Sequence, residues 1–179
     1  MCTPLWIFGY GSLIWEPGFA YASRQIARLE GYQRSFCMRS IHHRGTVVHP
    51  GLVLALDEGQ GPCHGVAFEI PGRIAEESLE YLRARELISA AYLERRVAVT
   101  LCDGRSVEAV TYVIDRHHDQ YCAGLALEDQ ARIIATAVGG RGTNADYLRN
   151  TAIHLAELGL RDPQLDWLSM RVQELSTTV

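Results

Sequence analysis

Two features of this 179-residue chain could carry chemistry, and they lie far apart. The first is "WIFGYGSLIW", Trp6 to Trp15, where an apolar, strand-like run breaks at Gly9, Tyr10, Gly11 and Ser12 and then resumes. Glycines at 9 and 11 can take positive φ and admit a ligand where a Cβ would block it. Successive N–H groups in such a turn form a small anion-binding concavity, and Ser12 adds a hydroxyl. Two readings stay open: a tight bend or bulge between strands, or a backbone cradle for a small polar ligand. A dinucleotide fingerprint fails, because position 14 is Ile14 rather than Gly and no helix begins there. A nucleophile elbow fails too, since Ser12 follows Gly11 directly.

The second feature is an acid on an apolar face. At about 100° per residue, Glu86 falls inside the arc set by Leu79 and Leu82, with Ala90 and Leu93 continuing on the same side. Glu76, Glu77 and Glu80 fall elsewhere and read as solvated. A carboxylate facing a core is costly unless paired or protonated, and desolvation raises its pKa. Glu86 is then a general base beside an apolar pocket, or a buried acid paired with an arginine, or an exposed residue beyond a helix that stops near Arg85. Arg83 and Arg85 are close in sequence, but helical spacing points them to other faces.

The remaining candidates are weaker. His42-His43 and His117-His118 are adjacent pairs, which in extended chain point to opposite sides. No histidine shows H-E-x-x-H, H-x-H or zinc-finger spacing, so no metal site is expected. His154, Trp15, Trp167 and the tyrosines read first as packing residues. No basic stripe accompanies the aromatics, so base stacking has no support.

These residues must be positioned by a mixed set of elements. Strand signals dominate the first 70 residues: "LWIFGYG", "ARLEGYQRSFCMRS", "LVLALD" and "HGVAFEI". A helical period then runs over "PGRIAEESLEYLRARELISA", residues 71–90, with acids in its first turns, where the helix dipole favours them. "RRVAVTLCDGRSVEAVTYVI" is a hairpin with Asp103-Gly104 as a type I′ turn signal. "DRHHDQYCAGLAL" is a polar loop, and three helices follow. Thr143 and Asp146 cap the second of these and Gly159 stops it; Asp162 caps the third, with Pro163 at its first position. Strands, helix, hairpin and helices in that order favour an α+β fold with a curled, barrel-like mixed sheet over a doubly wound one.

Composition sets outer limits. One domain spanning 1–179 is expected, long enough for a sizeable core. Apolar residues at 47% and charged residues at 21% are an ordinary globular balance, and a net charge of −4 gives no basic field for nucleic acid or an anionic membrane. All 17 basic residues are Arg, which excludes a Schiff-base or P-loop lysine. Cys2, Cys37, Cys63, Cys102 and Cys122 are dispersed, without a C-x-x-C pair, and read as reduced thiols of a cytoplasmic protein. No signal peptide and no apolar run near 18 residues is visible.

"WIFGYGSLIWEPGFAY", "HHRG", Pro50-Gly51, "GVAFEI", "YLRARE" followed by "AY", "GTNADYLRN" and "LAELG", in that order over nearly the whole chain, resemble the ChaC-type γ-glutamylcyclotransferases. The form is more similar to bacterial members than to animal ones. The resemblance implies a mixed β-barrel flanked by helices, a γ-glutamylcyclotransferase-like fold. It implies cleavage of glutathione to 5-oxoproline and Cys-Gly without metal or organic cofactor. It places substrate binding on Ile7, Phe8, Gly9, Tyr10, Gly11 and Ser12, and catalysis on Glu86. Tyr147, in "NADYL", is a further candidate for substrate contact, behind Tyr10. Many animal members continue from the glutamate as "REKGGY"; this chain has "RELISAAY", two residues longer, where the Cys-Gly half would be recognised. Other γ-glutamyl amines or amino acids are the alternative substrates. A non-catalytic regulatory role is the alternative from another class, suggested by the family's link to cation transport.

Overall fold

The apolar run that opens the chain forms β1 (Leu5–Gly9), which has strand partners on both edges and is apolar almost throughout because both of its faces are buried. The computed structural model describes residues 3–177, so Cys2 and the ends of the expected 1–179 domain lie outside it. Two units are distinguishable, one formed by the chain up to Ser35 with Leu56–His118, the other by Phe36–Ala55 with the chain from Asp119 onward.

In the first unit, the strands are β1, β2 (Ser23–Leu29), β5 (Cys63–Ile70), β6 (Tyr92–Leu101) and β7 (Ser106–Ile114). β1 runs antiparallel to β5, β5 to β2, β2 to β6, and β6 to β7. β7 then returns parallel to β1 through Trp6–Ala109 and Ile7–Val110, which closes the ring. The expected mixed, barrel-like sheet flanked by helices is what forms. Residues two apart share a face of a strand, and Trp6, Phe8 and Tyr10 all join the core cluster with Ala27, Ala67, Val99 and Ala109. β3 (Tyr32–Ser40) and β4 (Gly51–Glu58) run along the chain from one unit to the other, β4 lying parallel to β7 at Leu56–Val113.

The helix of the first unit, α1, spans Ala75–Glu86 after a single 3₁₀ turn at Gly72–Ile74. The expected helix to residue 90 is therefore cut short. The Leu87 N–H closes the last turn on the Arg83 carbonyl at 3.0 Å, and Ala90 then adopts φ 55°. Ala90 and Leu93 do not extend the apolar stripe; Leu93 belongs to β6.

The second unit carries α2 (Leu127–Thr136), α3 (Asn144–Glu157) and α4 (Pro163–Thr177). The capping expectations hold. The Thr143 side chain accepts from the Asp146 N–H, and Asp162 Oδ1 accepts from the N–H groups of Gln164 and Leu165. Asn144, with no exposed surface, exchanges two 2.7 Å hydrogen bonds with the backbone of Leu52, so a side chain supplies the rung that a neighbouring strand would give. Two further details differ from expectation. "ARLEGYQRSFCMRS" is divided between β2 and β3 by a turn at Gly31. The β6–β7 turn has positive φ at Gly104 but not at Asp103, so it is a three-residue loop rather than type I′.

Gly65 shows how closely β5 approaches β1. A Cβ there would stand 2.3 Å from the Gly9 carbonyl oxygen and 2.8 Å from the Phe8 ring. Gly65→Val should therefore lower stability by about 1–3 kcal/mol or more, read as a fall in the urea midpoint at unchanged denaturant slope.

Candidate active site

β1 ends at Gly9, and the chain passes through Tyr10 and Gly11 into a 3₁₀ turn at Ser12–Ile14. This segment is fastened to the barrel at several points. Thr111 Oγ1 donates to the Phe8 carbonyl at 3.0 Å, and the Tyr10 hydroxyl donates to the Tyr112 carbonyl at 2.8 Å. Arg34 donates to the carbonyls of Tyr10 and His64, both at 2.5 Å. The turn closes on itself through Ile14 N–H to the Gly11 carbonyl, 3.0 Å, and Glu16 N–H to the Ser12 carbonyl, 2.8 Å.

The glycines serve differently from the expectation. Neither Gly9 nor Gly11 has positive φ; Gly11 sits at φ −137°. Gly9 is small because a Cβ there would press on Leu13 Cβ at 3.1 Å and on Phe68 at 3.3 Å. Strand alternation also assigns the side chains of this segment. Ile7 and Phe8 are fully buried, and the Tyr10 ring points into the barrel with its hydroxyl already engaged. The first candidate for side-chain contact thus offers a ligand its backbone. Ser12 is half-buried and keeps its hydroxyl beside α1.

Glu86 is the last residue of α1, and its side chain is 16% exposed. It is not a lone acid on an apolar face. Arg85 Nε stands 3.3 Å from Glu86 Oε1, and the Arg85 side chain is only 5% exposed. The expectation that Arg85 points elsewhere is corrected: the helix ends here, so the last two side chains are not bound to the splay of a continuing helix. The same guanidinium reaches the loop after β1. Arg85 Nη2 donates to Ser12 Oγ at 3.1 Å, and Nη1 donates to the Glu16 carbonyl at 2.6 Å and to Tyr81 Oη at 3.3 Å. Glu86 and the Gly9–Ser12 segment are therefore brought together, through a residue the sequence reading passed over. The available signal was a cation adjoining the acid in the last helical turn.

A second acid sits nearby. Glu94 of β6 takes a two-pronged contact from Arg83, 2.9 Å to each oxygen, and a hydrogen bond from the Tyr112 hydroxyl at 3.1 Å. The Arg83 hydrogen bond holds the Glu94 carboxyl below the usual carboxylate range, with burial opposing and Tyr112 assisting. Burial, followed by the Glu94 and Glu86 carboxylates, pushes the Tyr112 phenol well above its ordinary value, so it remains a proton donor.

Tyr147 lies in the other unit. There its hydroxyl accepts the Leu54 N–H at 3.1 Å, and its ring has Phe36 edge-on and the Arg44 guanidinium 5.7 Å from its centre. Among the described residues no group of three or more His, Cys, Asp or Glu side chains could hold a metal ion. The arrangement of the first unit offers a part-buried carboxylate next to a fixed turn with a hydroxyl.

A family model described as "ChaC-like protein" matches residues 5–175. The chain is 40% identical over 172 residues to the glutathione-specific γ-glutamylcyclotransferase of Escherichia coli K12, covering 96% of this chain and 74% of that protein. It is 37% identical over 175 residues to the enzyme of the same name from Schizosaccharomyces pombe, covering 86% of this chain and 84% of the relative. A crystal structure of the yeast γ-glutamyl cyclotransferase specific to glutathione superposes with a TM-score of 0.87 at 25% identity, over 96% of both chains. A further γ-glutamyl cyclotransferase structure, 13% identical with a TM-score of 0.58, shares the fold.

The Glu94 environment fixes a pH dependence. Its folded pKa lies below its unfolded value, so it adds stability above the unfolded carboxyl pKa of about 4.3; that stability is lost as pH falls through the folded value. Glu94→Gln should lower the urea midpoint at pH 7, and the gap from the parent should narrow as pH falls below about 4.3.

Proposed function

Because this chain belongs to the ChaC-like family, we propose that it is a lyase, a γ-glutamylcyclotransferase that cleaves glutathione to 5-oxoproline and Cys-Gly. The observation that carries the reading is the Arg85 guanidinium, which joins the Glu86 carboxylate to the Ser12 turn. It brings a proton acceptor and a fixed backbone loop to one place, as this chemistry requires.

Backbone N–H groups of the Gly9–Ser12 segment and the Ser12 hydroxyl hold the glutamyl α-carboxylate and α-amino group. Phe8 supports that segment from within the barrel, and Ile7, fully buried, from the opposite face of β1. Ionised Glu86 takes a proton from the α-ammonium, and the freed amine attacks the γ-carbonyl carbon of the same molecule. A five-membered ring closes, and the C–N bond to cysteine breaks. Glu86 returns the proton to the departing cysteinyl nitrogen, and the ring nitrogen gives up its second hydrogen to that amine, which leaves as an ammonium group. The substrate supplies its own nucleophile, so the protein has mainly to hold two groups together. Well-oriented intramolecular reactions reach effective molarities of about 10⁵–10⁸ M, and a positioned acid–base group adds roughly 10²–10⁴-fold.

The same geometry reads only the glutamyl half. The segment after Glu86, with Ile88 58% exposed, is where the longer "RELISAAY" sequence departs from animal relatives. Other γ-glutamyl amines or amino acids are accordingly the second reading. We place Tyr147 as a support for the second unit, given its engaged hydroxyl. The free thiols of Cys37, Cys63, Cys102 and Cys122 suit a reducing, cytoplasmic setting.

A panel of γ-glutamyl compounds assayed for 5-oxoproline tests the proposal. Glutathione should be turned over best. Glu86→Gln should keep the parent's circular dichroism and lose at least roughly 10²-fold in kcat; activity within tenfold of the parent would remove Glu86 from the mechanism. Gly11→Val should abolish productive binding, seen as a raised KM. A parent silent on every γ-glutamyl compound would favour a non-catalytic binding role.

A further inference from the structure

We propose that Arg85 is a positioning residue of the reaction: it holds Glu86 and Ser12 in one frame and turns the Ser12 hydroxyl into a donor aimed at the substrate. This rests on the cyclotransferase reading above. An arginine side chain carries five N–H donors and no acceptor. In the contact at 3.1 Å between Arg85 Nη2 and Ser12 Oγ, the serine oxygen therefore accepts. Its own hydrogen is left to be given elsewhere, and an anionic group such as the glutamyl α-carboxylate is the partner that suits it. Had a carboxylate occupied the place of Arg85, the hydroxyl would have been spent as a donor toward it.

The remaining nitrogens are assigned as definitely. Nη1 is directed to the carbonyls of Glu16, 2.6 Å, and Pro17, 3.4 Å, and to Tyr81 Oη, 3.3 Å. Nε faces Glu86 Oε1 at 3.3 Å. One planar group thus contacts three points of the turn after β1 through its terminal edge, Nη1 and Nη2, and the carboxylate through its side edge, at Nε. With the side chain 5% exposed, water competes little for these donors. A lysine, with three donors radiating from a single nitrogen, cannot span both edges. The fixed fork is what transmits the place of the loop to the place of the acid. For a reaction whose rate depends on holding an amine against a carbonyl, a displacement of about 1 Å costs on the order of 10²-fold.

Arg85→Gln, Arg85→Lys, Ser12→Ala and the Ser12→Ala/Arg85→Gln double variant test this, by 5-oxoproline release from glutathione and by amide hydrogen exchange. Ser12→Ala should act mainly on KM. Arg85→Gln should lose roughly 10²-fold in kcat/KM, through both kcat and KM, and the double variant should show no further rise in KM. Arg85→Lys should fold as the parent does and recover no more than about a tenth of its activity, in line with the lost fork. In Arg85→Gln the N–H groups of Ile14 and Glu16 should exchange faster while those of β5 stay protected. Arg85→Lys within threefold of the parent, additive KM effects, or unchanged exchange in the turn would overturn the proposal. Should Arg85→Gln fail to fold, Arg85→Lys decides alone. A parent that releases no 5-oxoproline from any γ-glutamyl compound would count against the cyclotransferase reading instead, and the exchange measurement would then decide whether Arg85 holds the turn.

Discussion

The double pairing of β1 is the constraint on which the site depends. A strand bonded to β5 on one edge and to β7 on the other has no freedom to shift register or to peel away. The residues that follow it inherit that fixity, and the hydrogen bonds from Thr111, Tyr10 and Arg34 remove what play is left. Donors that are already in place when a ligand arrives do not have to be ordered by it, which is where a preorganised polar site gains over water. The sheet closes around the core and also fixes the turn at Gly9–Ser12.

The first unit also separates two acids that stand near one another. Glu94 receives both prongs of Arg83 and the Tyr112 hydroxyl, an arrangement that keeps it ionised and fully occupied. Glu86 has Arg85 Nε 3.3 Å from its Oε1, and the other donors of that guanidinium are directed to the turn and to Tyr81. An acid gripped at both oxygens is a poor proton carrier, since each transfer would cost it a charge-assisted hydrogen bond. The two acids are thus held differently, Glu94 by both prongs of Arg83 and Glu86 beside the Nε of Arg85.

Much of this was readable in the residues. The N-terminal strand, the break at Gly9–Ser12, the α+β order of elements and the caps at Thr143 and Asp162 follow from patterns within about a dozen residues, where local rules act directly. Helical spacing from Leu79 and Leu82 singles out Glu86 in the same way, although the stripe stops there and the acid is paired with Arg85. What could not be read was set by partners distant in sequence. Helical spacing points Arg85 away from Glu86, because nothing local reveals that the helix ends one residue later or that Ser12 and Glu16 lie against it. Tyr10 looked like a contact residue, but the strand's alternation carries it into the barrel, to a carbonyl 102 residues away. Gly9 is small because of Leu13 and Phe68, a matter of packing rather than of turn geometry.

Gly18 sits within van der Waals range of the same helix. A side chain there, however small, would put its first carbon 2.0 Å from the hydroxyl oxygen of Tyr81, one helical turn before Arg85 and itself a partner of that guanidinium. A side chain at Gly18 would have to displace the Tyr81 ring from its place beside Arg85. Gly18 also sits at φ 75°, a conformation that other residues adopt only with strain, so a change there bears on Tyr81 and through it on the Arg85 guanidinium.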